Sequence, residues 1–369
     1  MSCYPLLVRA VTAEGLDGSQ LSHPREPLPE PQWRPFMVNV SEQRLTGLLA
    51  SAVGVGRFPV TVRQRAVLAE LDAAAAAVSL RLDRALLEVA DTFDGSGVSF
   101  RVLKGAALAH VCYPDPRQRP YGDVDVLVPS ERFDDAVRLL VAAGGRCRFI
   151  EPRPGFTRRF GKGVSVRRTD GLEVDLHRTL ASGPLGMTVD TDGLFEGATP
   201  FTVGGRELLG LGREERFLHA CYHAVLGAAP PRALALRDVA QLALDPRLDV
   251  RRVHALLDRW HAAAVAAAAV RIAWTELQLV DTVPLSSFAA TYQPSPRESR
   301  ALAVYSSPRQ RYPRQAAAAL RHIPRVRDRA AYLAALLVPS RQYIAGRDRS
   351  YIGRLVRAVR TVRAVERGD

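Results

Sequence analysis

The sequence predicts an α+β protein, with a sheet that carries helices on one face followed by a mainly helical domain. Between about Val98 and Leu180, strand-like and helix-like segments alternate and then give way to antiparallel strands. After about Arg206, apolar residues recur with the helical period of 3.6 residues. An apolar fraction of 47% in 369 residues is enough to form sizeable folded cores.

Five regions are predicted along the chain. They are a weakly ordered N-terminal arm at 1–40, N-terminal helices at 41–94, a strand-rich domain at 95–205, a helical domain at 206–283 and a basic helical C-terminal region at 284–369. The arm is predicted because LSHPREPLPEPQWRPF holds five prolines in sixteen residues. A long helix is predicted from about Val60 to Phe93, where DGSG ends it.

The strand-rich domain is predicted element by element. VSFRVLKG forms a strand ending at Gly105, AALAHVCY forms a helix, and DVDVLVP forms a strand closed by Pro129. SERFDDAVRLLVAAGG has the helical period, with Ser130 able to cap it. RCRFIEP, GVSVRRT and GLEVDLHRTL follow as strands, the last two joined by Asp170-Gly171, a strong hairpin signal.

Three helical segments are predicted after Arg206: ERFLHACYHAVLG, PRALALRDVAQLALD and a long one that begins at VRRVHALLDRW. Within the third, Ala262 to Val280 is the most membrane-like stretch of the chain. It carries Arg271 and Glu276, and alanine is barely apolar, so a buried helix is favoured over a membrane span. A polar, proline-containing loop is predicted from Pro284 to Arg300.

The net charge of +13 is concentrated near the C-terminus, where residues 301–369 hold 15 arginines and four acidic residues. This favours anionic partners such as nucleic acid, phosphorylated substrates or a membrane surface. SYIGRLVRAVRTVRAVER places an apolar stripe against arginines at every third position, which suits peripheral membrane or nucleic-acid contact. A helix packed by that stripe on its own domain, with arginines in water, is the favoured interpretation.

Other composition features bear on location and on charge. The four cysteines show no CxxC spacing and no secretory signal precedes them, so we expect a cytoplasmic protein without a zinc site or disulfide framework. The sequence has 49 arginines but two lysines, Lys104 and Lys162. A lysine in such an arginine-rich sequence suggests that its position needs the compact charge of an ammonium group rather than the planar guanidinium of arginine.

Two carboxylates stand at alternate positions of the strand DVDVLVP. Side chains alternate faces along a strand, so Asp123 and Asp125 share one face while Val124, Val126 and Val128 point into a core. Adjacent carboxylates repel each other, and a divalent cation such as Mg²⁺ relieves that repulsion. The alternative is an exposed edge strand whose outer face is acidic.

Two further motifs strengthen the metal-site interpretation. In LEVDLH, Glu173, Asp175 and His177 share one face, so a third carboxylate can complete a two-metal site and accept a proton from a hydroxyl. In LKGAALAH, Lys104 and Gly105 stand where a strand meets a helix, a position suited to cradling a phosphate.

The ordered set LKGAALAH, YPDPRQRPYGDVDVLVP and LEVDLH resembles the uncharacterised bacterial nucleotidyltransferase family of the DNA polymerase β-like superfamily. The later ERFLHACYHAV and LALRDVAQLA resemble the helical half of that family. The resemblance covers about Val98 to Leu244. It implies a polymerase-β-like nucleotidyltransferase sheet, with 95–205 as the catalytic domain. It also implies transfer of a nucleoside monophosphate from a nucleoside triphosphate, with ATP expected, to an acceptor hydroxyl, releasing pyrophosphate.

The resemblance also assigns residues. Asp123 and Asp125 would bind Mg²⁺, with two ions expected and Mn²⁺ as a substitute, and Asp175 would be the third carboxylate. Lys104 and Gly105 would stand where the wider superfamily has Gly-Ser. Here Ala106 follows instead, so a hydroxyl contact to phosphate is missing and Lys104 would compensate by its charge.

Several residues keep two interpretations. Arg119 either reaches a phosphate or pairs with an acidic residue, and His177 either orients the acceptor hydroxyl or bonds to the next strand. Glu173 is the rival of Asp175. His219 and His223 share a helix face, and interdomain packing or substrate contact is favoured for them over metal binding. Arg237 and Asp238 either pair with each other or line a cleft.

Three functions follow as alternatives. The favoured one is a Mg²⁺-dependent nucleotidyltransferase acting on an unidentified small molecule, peptide, protein or RNA. The second is a catalytically degenerate protein that binds a nucleotide or a partner on the same scaffold, which the missing Gly-Ser motif supports. The third is an RNA-modifying enzyme that engages RNA through its arginine-rich end.

Overall fold

A computed structural model describes residues 3–280, 283–306, 315–316, 318–320, 323 and 325–347. The basic segment SYIGRLVRAVRTVRAVER, predicted as an amphipathic helix, lies outside the described residues.

One mixed sheet organises the described chain. Its strands are β1 (Arg101–Val102), β2 (Val124–Leu127), β3 (Arg146–Cys147), β4 (Gly163–Arg167), β5 (Glu173–His177), β6 (Ala198–Val203) and β7 (Arg206–Leu211). Their order across the sheet is β3-β4-β5-β2-β1-β7-β6. β2 runs parallel to β5 and β1 parallel to β7, whereas the other neighbouring pairs are antiparallel. The predicted α+β class is therefore confirmed.

Fifteen α-helices lie between Leu6 and Tyr305 in the described chain. They are α1 (Leu6–Thr12), α2 (Glu30–Glu42), α3 (Thr46–Gly54), α4 (Val62–Asp94), α5 (Lys104–Cys112), α6 (Phe133–Ala142), α7 (Phe156–Phe160), α8 (Pro184–Met187), α9 (Gly193–Glu196), α10 (Arg213–Gly227), α11 (Ala233–Ala243), α12 (Val250–Trp260), α13 (Ala263–Leu277), α14 (Pro284–Thr291) and α15 (Pro296–Tyr305). Two more helices, Val326–Leu337 and Arg341–Arg347, lie near the C-terminal end of the described chain.

The two faces of the sheet meet different cores. Val124, Val126 and Val128 are buried in one core together with apolar residues of α4 and α6. Helices were predicted on one face of the sheet, but they pack on both. Leu127 belongs instead to a second core, formed mainly by the N-terminal helices and α10 to α13. The acidic face of β2 therefore looks toward the helical half of the protein.

The N-terminal segment differs from the predicted weakly ordered arm. α1 lies within 1–40 and α2 begins there, and Val8, Trp33 and Phe36 are buried in the second core. Pro29 and Pro31 occupy the cap and first turn of α2, where a missing N–H costs nothing, whereas Pro35 lies inside the helix. Phe36 also stacks on Phe58, with ring centroids 5.5 Å apart.

The structure differs from the prediction at several other places. β6 and β7 form a hairpin through Gly204 and Gly205, both with positive φ, although the chain was expected to become helical at about 206. α12 and α13 are separate helices because His261 adopts a left-handed conformation. α14 and α15 replace the predicted loop, RCRFIEP forms a strand of two residues, and Ser130 does not cap α6.

α3 braces the loop that leads into β2. A Cβ on Gly47 would lie 1.9 Å from the carbonyl oxygen of Arg117, so only glycine allows this approach of helix and loop. Gln118 Nε2 also donates a hydrogen bond to Ser51 Oγ at 2.9 Å. The N-terminal helices thus help to position the strand that carries the acidic pair.

The membrane-like stretch forms α13, most of whose residues are buried in the second core, as predicted. In the described part of the chain, every helix is too short or too polar to serve as a bilayer-spanning segment.

Gly47→Ala tests whether α3 braces this loop. We expect the variant to lose about 1–3 kcal/mol of unfolding free energy, because its Cβ overlaps backbone atoms that cannot move independently. Chemical denaturation is the measurement. Gly54→Ala in the same helix is the matched control, because nothing lies within 4 Å of its Cβ. Alanine there should be neutral or stabilise by about 0.5–1 kcal/mol. Equal effects of the two substitutions would contradict the close approach.

Candidate functional site

The candidate site begins with two carboxylates on neighbouring strands. β2 and β5 are parallel and in register, so Asp125 stands directly beside Asp175. Val124, Val126, Val174 and Leu176 fill the opposite face and are buried in the sheet core. The period of two residues thus places both carboxylates on the face turned toward the helical half. This is the convergence that the sequence motifs predict.

Asp125 lies at the centre of the site and is 2% exposed. Its Oδ1 accepts a hydrogen bond from the ammonium of Lys104 at the start of α5, and lies 2.9 Å from His177 Nε2 on β5. Its Oδ2 is buried and has no hydrogen-bond partner among the described residues. A buried carboxylate oxygen without a partner is costly, and a bound cation would satisfy it.

The two aspartates of the β2 motif are electrostatically unequal. Although burial opposes ionisation, the charge of Lys104 and the hydrogen bond with His177 hold the pKa of Asp125 well below its usual range. Burial and the negative charge of Asp125 raise the pKa of Asp123. Asp123 forms no ion pair or side-chain hydrogen bond with a described residue. A cation close to both aspartates would therefore stabilise the ionised form of Asp123.

The residues fit a hard divalent cation. Among the described residues, Asp125, Asp175 and His177 each offer one ligand atom, and these atoms lie within 4.8 Å of one another. Asp123, predicted as a metal ligand, is not part of this group. Carboxylate oxygens are the ligands that Mg²⁺ prefers. Asp175 also accepts a hydrogen bond from Ser165 on β4, which orients its carboxylate.

The predicted phosphate cradle lies at the start of α5. Lys104 is the first residue of that helix and turns toward Asp125. Gly105 is buried, and a Cβ there would make ordinary contacts of 3.4–3.5 Å with the Asp123 carbonyl oxygen and the Tyr121 ring. The chain's own loop thus lies over Gly105.

Arg119 is committed to a buried ion pair. Its Nε and Nη2 donate to Oδ1 and Oδ2 of Asp238 at 3.0 and 2.7 Å, and its Nη1 lies 3.3 Å from the Gly105 carbonyl oxygen. Tyr113 also donates a hydrogen bond to Asp238 Oδ1 at 2.8 Å. Of its two interpretations, the structure shows pairing with an acidic residue. That partner lies on α11, so the pair links the loop before β2 to the helical half.

The loop before β2 alternates its attachments. Arg119 binds α11, whereas Tyr121 donates a hydrogen bond to Asp83 on α4, which packs on the other face of the sheet. Asp123 follows two residues later and faces the site. The loop that leads to Asp123 is therefore held by α11 on one face of the sheet and by α4 on the other.

Four basic residues outside β2 and β5, namely Lys104, Lys162, His219 and His223, lie near one another. Burial and the charges of Lys162 and Lys104 lower the pKa values of His219 and His223, which places both α10 histidines near the two lysines. His219 is 2% exposed, and its Nε2 has no hydrogen-bond partner in the described chain. The predicted orientation of these histidines toward the space between the two halves agrees with this placement.

Lys162 is the site residue that motif reasoning missed. It directly precedes β4, and its carbonyl oxygen accepts a hydrogen bond from Arg178 N at 2.8 Å. Burial and the nearby charge of Lys104 lower the pKa of Lys162 to about 8, although the three aspartates favour its charged form. The signal available in the sequence was its rarity, because both lysines of the chain meet at this site.

Two open alternatives can now be described. Glu173, the rival of Asp175, pairs with Arg148 at 3.0 Å and is not part of the metal-binding group. Arg237 and Asp238 do not pair with each other. Arg237 donates to the carbonyl oxygens of Thr12 and Glu14, while Asp238 binds Arg119. The two neighbours therefore tie different parts of the chain to α11.

Comparison with known proteins identifies a family. The sequence model of a family described as "uncharacterised nucleotidyltransferase" matches residues 29–275, which is more than half of the chain. No curated protein matches the sequence.

Three solved structures are similar to parts of the chain, each at 14% identity. ANT(2'')-Ia in complex with adenylyl-2''-tobramycin aligns over 49% of this chain and 97% of its own, with a TM-score of 0.35. A nucleotidyltransferase-like protein from Paracoccidioides brasiliensis aligns over 54% and 92%, with a TM-score of 0.33. The lincosamide adenylyltransferase LnuA bound to lincomycin aligns over 42% and 93%, with a TM-score of 0.28.

Asp238→Ala tests the buried link between the two halves. We expect a loss of about 3–5 kcal/mol of unfolding free energy, because the substitution leaves Arg119 buried without its counter-charge. Arg117→Ala is the control in the same loop, since Arg117 forms an exposed pair with Asp115 and should cost about 0–1 kcal/mol. Chemical denaturation measures both variants. Similar small losses would show that the Arg119 pair does not hold the halves together.

Lys162→Met tests the electrostatic cost of the second lysine. Its folded pKa of about 8 lies below the ordinary value of 10.5, so the charged form is disfavoured by folding at neutral pH. We expect the variant to be more stable than the parent by about 1–2 kcal/mol at pH 7. The parent gains stability as pH rises through 8 toward 10.5, so the difference should shrink over that range. Urea titrations at pH 7, 8.5 and 10 measure it, and a pH-independent difference would contradict the assignment.

Proposed function

We propose that this chain, which belongs to the uncharacterised nucleotidyltransferase family, transfers a nucleoside monophosphate from a nucleoside triphosphate to an acceptor hydroxyl in a Mg²⁺-dependent reaction. ATP is the proposed donor and pyrophosphate the second product. The observation that carries the proposal is the in-register pair Asp125 and Asp175, with one unpartnered carboxylate oxygen and surrounding cationic groups. Acidic ligands beside cations suit a metal-bound polyphosphate.

Asp123, Asp125 and Asp175 would hold the metal ions, two in number, with His177 beside Asp125. When bound, Mg²⁺ neutralises phosphate charge and makes the acceptor hydroxyl more acidic. The acceptor oxygen forms a bond to the α-phosphorus, and the bond from that phosphorus to the pyrophosphate oxygen breaks. Asp175 takes the acceptor proton. Ser165 orients the carboxylate of Asp175 for this role.

The basic residues supply charge at fixed positions. Lys104 extends from the start of α5 and neutralises Asp125 before ligands bind. With a cation on the aspartates, its ammonium becomes available to a phosphate oxygen. His177 stays largely neutral at pH 7, because burial and Lys162 lower its pKa, and it therefore can orient the acceptor hydroxyl through hydrogen bonding. Arg119 supports the site indirectly, because its buried ion pair with Asp238 holds the loop that leads to Asp123.

A second candidate is a nucleotide-binding protein without transfer activity. Its support is the ion pair between Lys104 and Asp125, in which a lysine supplies the positive charge that a metal ion would otherwise supply. The absence of a hydroxyl at Ala106 is consistent with this candidate. Nucleotide binding that is independent of Mg²⁺ and releases no pyrophosphate with any acceptor would favour it.

The acceptor is proposed to be a hydroxyl compound of the cytoplasm, where nucleoside triphosphates are abundant. All four cysteines are free, in agreement with a reducing compartment. If the acceptor is RNA bound by the arginine-rich end, RNA binding should depend steeply on salt concentration. It should also be lost when the last twenty residues are deleted.

Asp175→Asn tests the proposed chemistry. We expect at least about a hundredfold loss of label transfer from [α-³²P]ATP to acceptors in a metabolite extract, because the variant lacks both a metal ligand and a proton acceptor. Thin-layer chromatography and mass spectrometry of the products measure transfer. EDTA should abolish transfer by the parent protein, and added Mg²⁺ should restore it.

Glu173→Gln is the matched control for Asp175→Asn. It lies two residues away on the same strand face, but pairs with Arg148 outside the metal-binding group. It should keep activity within about twofold of the parent, since it touches no reacting group. Thermal melting confirms that both variants fold. Equal product formation by the parent and Asp175→Asn would reject the proposed mechanism.

A further inference from the structure

We infer that Arg44 and Arg232 form the subsite that binds the β- and γ-phosphates of the nucleoside triphosphate, which leave as pyrophosphate. The inference rests on the proposed nucleotidyltransferase function and adds a triphosphate-binding role for residues outside the strand-rich domain. Neither arginine belongs to the motifs that identify the acidic site.

Arg44 reaches the acidic site from the end of α2. Its Nη2 lies 2.9 Å from the position that a Cβ on Gly122 would occupy, so the guanidinium rests on the backbone immediately before Asp123. The absence of a side chain at Gly122 leaves room for this approach. Arg44 is only partly exposed, and its head group therefore has a defined place beside the β2 motif.

The backbone of Arg44 is held in an unusual conformation. Its φ is +59°, in the left-handed region where glycine is normally favoured. Hydrogen bonds from Arg44 N to the Ser41 carbonyl oxygen at 3.1 Å, and from Leu45 N to the Val40 carbonyl oxygen at 2.8 Å, fix this helix end. Glycine would form the same backbone hydrogen bonds, so the backbone conformation does not explain why an arginine side chain occupies this position.

Arg232 comes from the other half of the protein. It precedes α11 as its N-cap residue. Ala233 N, the next residue, donates a hydrogen bond to Gln43 Oε1 at 2.9 Å, which ties the start of α11 to the residue before Arg44. The positive charge of Arg232 is close enough to lower the pKa of Arg44, after the larger effect of burial. Arg44 and the exposed Arg232 thus come from segments that meet where the end of α2 contacts the start of α11.

Neither guanidinium has a partner within the described chain. Arg44 and Arg232 form no salt bridge and no side-chain hydrogen bond with a described residue, whereas many other arginines of the protein do. Asp123 and Asp125 attract Arg44 without forming an ion pair with it. Like charges held together without counter-charges create a local demand for an anion.

The position of Arg44 and Arg232 indicates which kind of anion they would bind. Asp123 and Asp125 stand on one side of these two arginines, so an isolated anion would be repelled by the carboxylates. A polyphosphate that carries Mg²⁺ on one part of its chain and free oxygens on another suits both neighbours. Arginine forks match phosphate oxygens, and the start of α11 adds partial positive charge. This combination points to the pyrophosphate part of the nucleotide.

Titration calorimetry of the full-length protein with Mg²⁺–pyrophosphate tests the subsite. Arg44→Gly removes the guanidinium while suiting the left-handed backbone, so it should fold at least as well as the parent. We expect its pyrophosphate dissociation constant to rise by about tenfold or more, since hydrogen bonds to charged groups are lost. Arg232→Ala should weaken binding in the same direction, and AMP affinity should be unchanged in both variants.

Arg34→Ala is the matched control, because Arg34 lies on α2 and is exposed in a pair with Glu30. It should bind pyrophosphate like the parent. The label-transfer assay is run on the same proteins. If Arg44→Gly and Arg232→Ala bind pyrophosphate and use ATP as the parent does, the subsite is wrong while the transferase function stands. If the parent neither binds Mg²⁺–pyrophosphate nor transfers label, the subsite and the proposed function both fail.

Discussion

The buried carboxylate of Asp125 is the constraint on which the site depends. A charge with 2% exposure is tolerated only if other groups compensate it, and here Lys104 and His177 do so through one oxygen. Those partners come from α5 and β5, so this single requirement fixes how the helix start and the neighbouring strand sit around β2. The second oxygen is left for a ligand. Burial thus requires partners for one carboxylate oxygen of Asp125, whereas the proposed ligand binding requires that the other oxygen have none within the protein.

A second buried charge joins the two halves of the protein. Arg119 and Asp238 connect the loop before β2 to α11, while Gly47 lets α3 press against the same loop. Because all three elements converge there, the loop has little freedom, and Asp123 is presented to the site by a rigid support. Preorganised charges of this kind avoid reorganisation when substrates bind. The helical half and the N-terminal helices are therefore part of the site's architecture.

The sequence predicted the parts of the site that follow from local periodicity. Asp125 and Asp175 share a face because side chains alternate along strands, and their valine and leucine neighbours confirm it. Arg44, Lys162 and the partner of Arg119 were beyond such reasoning, because their contacts join residues far apart in the chain. α1 and α2 were missed since prolines suggested an extended arm, although α2 accepts two of them at its start. The β6–β7 hairpin did carry a readable signal in Gly204-Gly205.

Unpartnered polar atoms, buried charge and basic residues occur together around Asp125. Elsewhere, buried charges such as Arg119 and Asp238 are paired, as stability requires. Around Asp125, His177 Nδ1 and His219 Nε2 have no hydrogen-bond partner among the described residues, and the charge of Lys104 lowers the pKa of Lys162. Each of these features lowers the stability of the ligand-free protein, and apolar residues could replace them at less cost. The proposed ligands would explain why these features occur together on one face of the sheet. The proposed metal-bound polyphosphate would supply both a cation for the aspartates and an anion for the basic residues.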